Sequence, residues 1–198
     1  MPKGYVVTRV DILDPDAYAK YAAAATKAIA DHGGKALARG GRHEALEGKA
    51  RAQCRAGVRQ LRRRPALLLL RAISGGARAS SGRGRDGDGS GRGVVSVAKG
   101  YWIAHVDVAD PDAYKAYLEA NAKPFAKYGA RFLVRAGQAT QKEGALRSRH
   151  VVIAFKDYAT ALACYESPEY RSAFALRRPP ASQGDLVIIE GYDGIQPA

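Results

Sequence analysis

The sequence predicts an α+β protein made of two copies of one β-α-β-β-α-β unit, the first copy broken in its middle. Three observations predict this. Lys3-Gly4-Tyr5 begins a segment that recurs 96 residues later at Lys99-Gly100-Tyr101. Asp14-Pro15-Asp16-Ala17-Tyr18 returns as Asp110-Pro111-Asp112-Ala113-Tyr114, and Ala36-Leu37-Ala38-Arg39-Gly40 is answered by Phe132-Leu133-Val134-Arg135-Ala136. The likeness then ends at Ala50-Arg51, where an arginine- and glycine-rich stretch begins. The chain thus divides into a truncated first repeat (1–51), a basic linker expected to be disordered (52–96) and an intact second repeat (97–195).

The intact repeat justifies each element. From Lys99 to Val108, Trp102, Ala104, Val106 and Val108 form one row and Tyr101, Ile103, His105 and Asp107 the other, the two-residue period of a strand with one apolar face. Asp110 is placed to cap a helix, Pro111 suits its first position and Asp112 complements its dipole. Tyr114, Tyr117, Leu118, Asn121 and Phe125 follow at helical spacing, Pro124 disturbs the last turns and Gly129 ends them. Arg131 to Arg135 reads as a second strand, and a polar loop leads to a third from His150 to Phe155. Asp157 caps a helix through Tyr165, Ser167-Pro168-Glu169 restarts helix through Arg177, and Leu186 to Glu190 is the last strand. The first repeat retains only β-α-β of this order.

These segments resemble domain-of-unknown-function family 1330, of the dimeric α/β-barrel superfamily. The likeness rests on the Lys-Gly-Tyr-Trp opening at Lys99, the Asp-Pro-Asp-Ala-Tyr helix start and the strand Val151-Val152-Ile153-Ala154-Phe155. It also rests on Cys164-Tyr165-Glu166-Ser167-Pro168-Glu169-Tyr170 and Val187-Ile188-Ile189-Glu190-Gly191-Tyr192. It covers residues 97–194, and 3–51 as a half-copy. The resemblance implies a ferredoxin-like fold whose sheet pairs with a second sheet to close a barrel. It implies no particular reaction and no cofactor.

Charge would otherwise suggest a polyanion partner. The net charge is +13, but residues 52–93 hold ten arginines against only Asp86 and Asp88, a net of +8. Codon arithmetic accounts for that block. Shifting the codons of Ala52 to Leu70 one base forward permits R-N-V-V-L-E-F-A-S-Y-D-A-A-L-P-C-Y-Y-S. The in-frame counterpart from Arg149 to Ser167 reads R-H-V-V-I-A-F-K-D-Y-A-T-A-L-A-C-Y-E-S. Arg85 to Gly91 permits E-M-V-M-V-A-G in the same way, parallel to Asp185 to Gly191. The expectation is a compensated frameshift between Arg51 and Gly93. Gly82 to Gly87 then spells G-x-G-x-x-G without a strand before it or a helix after it. The EF-hand-like start at Asp86 lacks the glutamate at its twelfth position, where Val97 stands. Arg62-Arg63-Arg64 has no aromatic residue near it for base stacking, so no specific nucleic-acid partner is expected, and polyanion binding ranks last.

Cys54 and Cys164 form no disulfide framework or metal-ligand pattern, and the longest apolar run, Ala66 to Leu70, is too short to span a bilayer. With no leader pattern at Met1, the expectation is a soluble cytoplasmic protein without metal or membrane partner.

If Trp102, Phe132, Val134, Val151, Ile153, Phe155, Val187 and Ile189 face the helices, the opposite face looks into the barrel. That face would carry Tyr101, Ile103, His105, Leu133, Arg135, His150, Val152, Leu186, Ile188 and Glu190, a mixed wall suited to a small organic ligand. The pocket candidates are Tyr101, His105, Arg135, His150 and Glu190. His105 would be a base, Arg135 an anion anchor, and Glu190 a proton acceptor or the ion-pair partner of Arg135. Arg9 stands where the first repeat would have its His105, so a catalytic histidine common to both copies is not supported. The alternative is an oligomerisation module with a filled interior. Because the first copy lacks half its sheet, the second is expected to form a homodimer through residues 97–194.

Overall fold

The computed structural model describes residues 3–48, the backbone of 65–72, and 97–196. The Gly-x-Gly motif at Gly82, the Asp86 loop and Arg62 to Arg64 lie outside the described residues. The first repeat contributes β1 (Gly4–Asp11), α1 (Pro15–Asp31), β2 (Lys35–Arg39), β3 (His43–Glu47) and β4 (Pro65–Ala72). The second contributes β5 (Gly100–Val108), α2 (Pro111–Ala120), α3 (Ala122–Lys127), β6 (Arg131–Arg135), β7 (Arg149–Phe155), α4 (Tyr158–Glu166), α5 (Pro168–Leu176) and β8 (Ser182–Glu190).

Local chemistry explains the element ends. Asp14 and Asp110 each accept two backbone N–H bonds at the start of α1 and α2, and each is followed by proline at the first helical position. Pro124 has no N–H to give the carbonyl of Ala120, and the helix divides there into α2 and α3. Ser167 closes α4 and caps α5 through its hydroxyl, 3.2 Å from the Tyr170 amide. The Lys-Gly-Tyr motif also has a physical reason: a Cβ on Gly100 would run into the Asp157 carbonyl, where α4 meets the sheet.

The second repeat forms an antiparallel sheet in the order β8-β5-β7-β6, with α2 to α5 packed on one face. This is the ferredoxin-like order the sequence implies. Trp102 is the centre of the helix-side core. Phe125, Phe155, Tyr165 and Tyr170 surround its ring at centroid distances of 4.9–5.7 Å, and its indole N–H donates to the Ala161 carbonyl at 2.9 Å.

The first repeat uses the chain differently from its β-α-β outline. Pro65–Ala72, inside the stretch read as linker, forms β4 between β1 and β2 and pairs with both. β4 thus occupies the place that β7 holds between β5 and β6. Strand β3 leaves its own repeat and joins the second sheet beside β8, pairing His43 with Ile189 and Glu47 with Leu186.

The two repeats meet through the sheet faces opposite the helices. Ala38 from β2 lies in one buried cluster with Tyr101, Ile103, Val152, Ala154 and Ile189, and Val7 and Leu37 pack against it. The face left open in the sequence reading is therefore covered by the first repeat of the same chain. Two backbone bonds join the seam as well, from Glu190 N–H to the Arg42 carbonyl and from Tyr192 N–H to the Leu37 carbonyl.

Two face assignments differ from the sequence expectation. Strand β6 carries a bulge at Leu133, between Phe132 and Val134. The extra residue turns Val134 into the seam cluster and sends Arg135 to the helix side, where it lines the cavity beneath α2. The same bulge recurs at Leu37 in β2, and Arg39 accordingly reaches Thr26 on α1 at 3.2 Å. Strand β8 is inverted relative to expectation: Leu186 and Ile188 join the helix-side core, whereas Val187 and Ile189 face the seam. Leu186 to Ile189 is apolar on both faces, so no alternation marks which face is which. The register does, setting Tyr101 opposite Ile189 and Trp102 opposite Ile188.

Candidate functional site

The five sequence candidates separate into two places. Tyr101, His105 and His150 share the seam face of the second sheet. Tyr101 is buried there, and its hydroxyl pKa is raised first by burial and then by Tyr5, its counterpart in the first repeat. Glu190 lies opposite Gly100, on the helix side, and its carboxylate accepts from Arg42 at 3.1 Å. Arg42 in turn lies over the Tyr158 ring at 4.2 Å. The expected Arg135–Glu190 pair does not form: β5 and β7 stand between β6 and β8 in the sheet, and Arg42, just before β3, pairs with Glu190 instead.

At the polar end of the seam face, His105 and His150 are directly opposed across β5 and β7. Their Nδ1 atoms are 2.8 Å apart, so one ring donates its Nδ1–H to the lone pair of the other. Arg147 lies close by, donating from Nε to Asp185 at 2.7 Å and from Nη1 to Asp107 at 3.0 Å. Burial, followed by the charge of His150, lowers the His105 pKa to about 4, with Asp185 opposing and Arg147 reinforcing the shift. His105 is consequently neutral at pH 7. Its unfolded form takes a proton near pH 6.5, so the stability it contributes is complete above that pH and disappears as pH falls towards 4. Over that window the linkage is worth at most about 3 kcal/mol. The urea midpoint should fall from pH 7 to pH 4.5 more steeply in the native protein than in His105→Gln, and equal slopes would contradict this assignment.

On the other face, between the sheet and α2, α3 and α5, is a cavity of about 40 Å³. Trp102, Tyr114, Tyr117, Phe125 and Tyr170 make its wall aromatic, Asn121 adds an amide, and Arg135, Arg149 and Arg177 bring three guanidinium groups. Arg135 and Phe132 are exposed and form the rim, the guanidinium carbon lying 4.9 Å from the ring centre. Arg149 lies over Tyr114 at 5.4 Å, and Arg177 over Tyr117 at 5.0 Å and Phe174 at 4.6 Å.

Arg177 is held from the other repeat. Its Nη2 donates to both oxygens of Glu47 on β3, at 2.6 and 2.9 Å, and the Tyr165 hydroxyl donates to Glu47 at 3.3 Å. Both partners are buried, with 4% and 7% of their side-chain surface exposed. Neither Glu47 nor Arg177 was singled out from sequence. A lone acid in a short strand of the broken repeat and an arginine after a helix carry no motif, and only the crossing of β3 joins them.

Cys164 is a free, fully buried thiol whose pKa is pushed up to about 12 by burial and then by Glu169. It is inert as a nucleophile at neutral pH. Among the described residues no group of three His, Cys, Asp or Glu side chains could hold a metal ion. No helix among them is long and apolar enough to cross a membrane.

An intact ferredoxin-like unit, its sheet extended by β3 and carrying an aromatic, arginine-bearing cavity beneath its helices, defines an α+β protein. Residues 3–56 and 99–192 match the domain of unknown function DUF1330. The chain belongs to that family. Among solved structures it is similar to the protein of unknown function RPA0582 from Rhodopseudomonas palustris, a structural genomics target. That likeness has 18% identity and a TM-score of 0.37, over 49% of this chain and 85% of that one. The methylated RPA0582 protein matches at 18% identity and a TM-score of 0.40, over 52% and 84%. No curated protein matches the chain.

Proposed function

We propose that the protein binds a small organic molecule, and that the binding site is the cavity beneath the helices of the second repeat rather than the interior between the sheets. The observation that carries this reading is the combination of an aromatic wall with unlike polar groups, Asn121 and three arginines, in one concavity with an exposed rim at Phe132 and Arg135. The seam face, by contrast, is filled by Ala38, Tyr101, Ile103, Val152 and Ile189. Thermal melting of the full chain against a panel of small aromatic compounds tests the proposal. A binder present at a hundred times its Kd contributes about 2.7 kcal/mol, which raises Tm by several degrees. Ala104→Leu, which grows a side chain into the cavity wall, should abolish the shift. A panel that leaves Tm unchanged overturns the site.

The second reading, a pairing module without a ligand, is favoured by that same filled seam. We infer that the two roles coexist: the second repeat supplies the cavity, and the first takes the position a partner subunit would otherwise hold. A homodimer through residues 97–194 then belongs to the second repeat freed of the first. We infer a compensated frameshift from the codon reading of residues 52–91, and sequencing the gene across codons 51 to 93 tests it. A cytoplasmic location accords with the free thiol of Cys164.

A further inference from the structure

Two donors on residues that line the cavity lack acceptors. The Nε–H of Arg149 and the Nε–H of Arg177 are both buried, and neither has a hydrogen-bond partner among the described residues. Both residues line the same cavity. Arg177 is itself only 3% exposed. A buried donor left without an acceptor is costly and uncommon in folded proteins, and two on residues lining one concavity are harder to explain as accidents of packing.

Charge points the same way. Of the three guanidinium groups around the cavity, Arg177 is matched by Glu47, whereas Arg135 and Arg149 form no ion pair among the described residues. The site therefore carries two positive charges more than it balances. The guanidinium groups of Arg149 and Arg177 lie over Tyr114 and Tyr117, and a guanidinium recognises a planar acceptor through the N–H groups in its plane.

Size narrows the acceptor further. A water-sized atom needs roughly 10–15 Å³ of such space, so a cavity of about 40 Å³ holds about three. A carboxylate head has three heavy atoms, one carbon and two oxygens. Whatever is attached to it must leave past Phe132 and Arg135, an aromatic ring with a cation over its face.

We propose that the ligand is a small aromatic monocarboxylate, its carboxylate accepting from the Nε–H groups of Arg149 and Arg177 and its ring lying against Phe132 at the rim. This rests on the cavity being the binding site, and the probes are chosen to separate the two claims. Titration calorimetry on the full chain at constant ionic strength would compare benzoate and phenylacetate with benzamide, which keeps the ring and loses the charge. Benzoate or phenylacetate should bind at least about tenfold more tightly than benzamide, because charge-assisted bonds replace neutral ones. Arg149→Lys should weaken the carboxylate about tenfold and benzamide by less, and Arg149→Gln should remove the preference. Circular dichroism would establish that both variants are folded. If benzamide binds as tightly as benzoate, the site stands and the carboxylate assignment falls. If inorganic phosphate displaces benzoate at equal concentration, the site recognises anions generally and the assignment also falls. If none of the probes binds, both claims fail.

Discussion

Glu47→Ala should destabilise the protein by about 3–5 kcal/mol, measured as the loss of unfolding free energy in urea. The reason is that the substitution leaves Arg177 buried and charged without its carboxylate. Arg177 also contacts the Tyr170 hydroxyl at 3.4 Å, and that hydroxyl lies 3.3 Å from the hydroxyl of Tyr117, so no other acid in the network takes over. Glu47→Gln should fall between, since an amide oxygen can accept one of the two bonds. The informative control is the double variant Glu47→Ala with Arg177→Met, which removes both charges together. It should recover most of the loss, because a well-packed apolar pair in place of a buried ion pair is often neutral or better. If the single variant costs less than about 1 kcal/mol, the pair does not fasten β3 to the second repeat.

That ion pair also marks the limit of what the sequence discloses. The caps at Asp110 and Asp157, the split at Pro124 and the order of the second repeat are local, written in residues a few positions apart, and they were legible. Tyr101, His105 and His150 were placed on one face because strict alternation in β5 and β7 leaves little choice. Arg135 and Glu190 were misplaced for two different physical reasons. A bulge adds one residue to β6 without any residue type that announces it, and β8 is apolar on both faces, so its orientation follows only from register. The cavity was not legible at all. Arg149 on β7, Asn121 between α2 and α3 and Arg177 after α5 are far apart in sequence, and the aromatic residues beside them read equally well as ordinary core.

The first repeat shows the same division. Its β-α-β start could be read from the 96-residue offset. The destination of β3 could not, because the sheet edge it fills belongs to another part of the chain. That crossing ties the first segment into the sheet of the second repeat. One repeat donates a strand and a carboxylate to the other, and α1 is its own helix among the described residues. Helix α1 accordingly has no fully buried residue, and Tyr21 on it remains 60% exposed.

A fragment of residues 97–196 is expected to be a dimer at micromolar concentration, whereas the full chain at the same concentration should be less self-associated. Without the first repeat, Tyr101, Ile103, Val152, Ala154 and Ile189 lose the surface that buries them. Strand β8 simultaneously loses β3 and presents an unpaired edge. An apolar sheet face beside a free edge is a surface that a second copy can satisfy with two-fold symmetry. Each fully buried aliphatic side chain on that face is worth about 1.5–3 kcal/mol when removed from water, so several together favour association strongly. Sedimentation equilibrium of the fragment decides the matter. A Tyr101→Asp variant, which places a carboxylate at the centre of the face, should return it to monomer while β5 to β8 keep their circular dichroism. A fragment that is monomeric and folded without that substitution would mean that the seam is incidental to the second repeat. A fragment that dimerises equally well with Tyr101→Asp would mean that a different surface does the pairing.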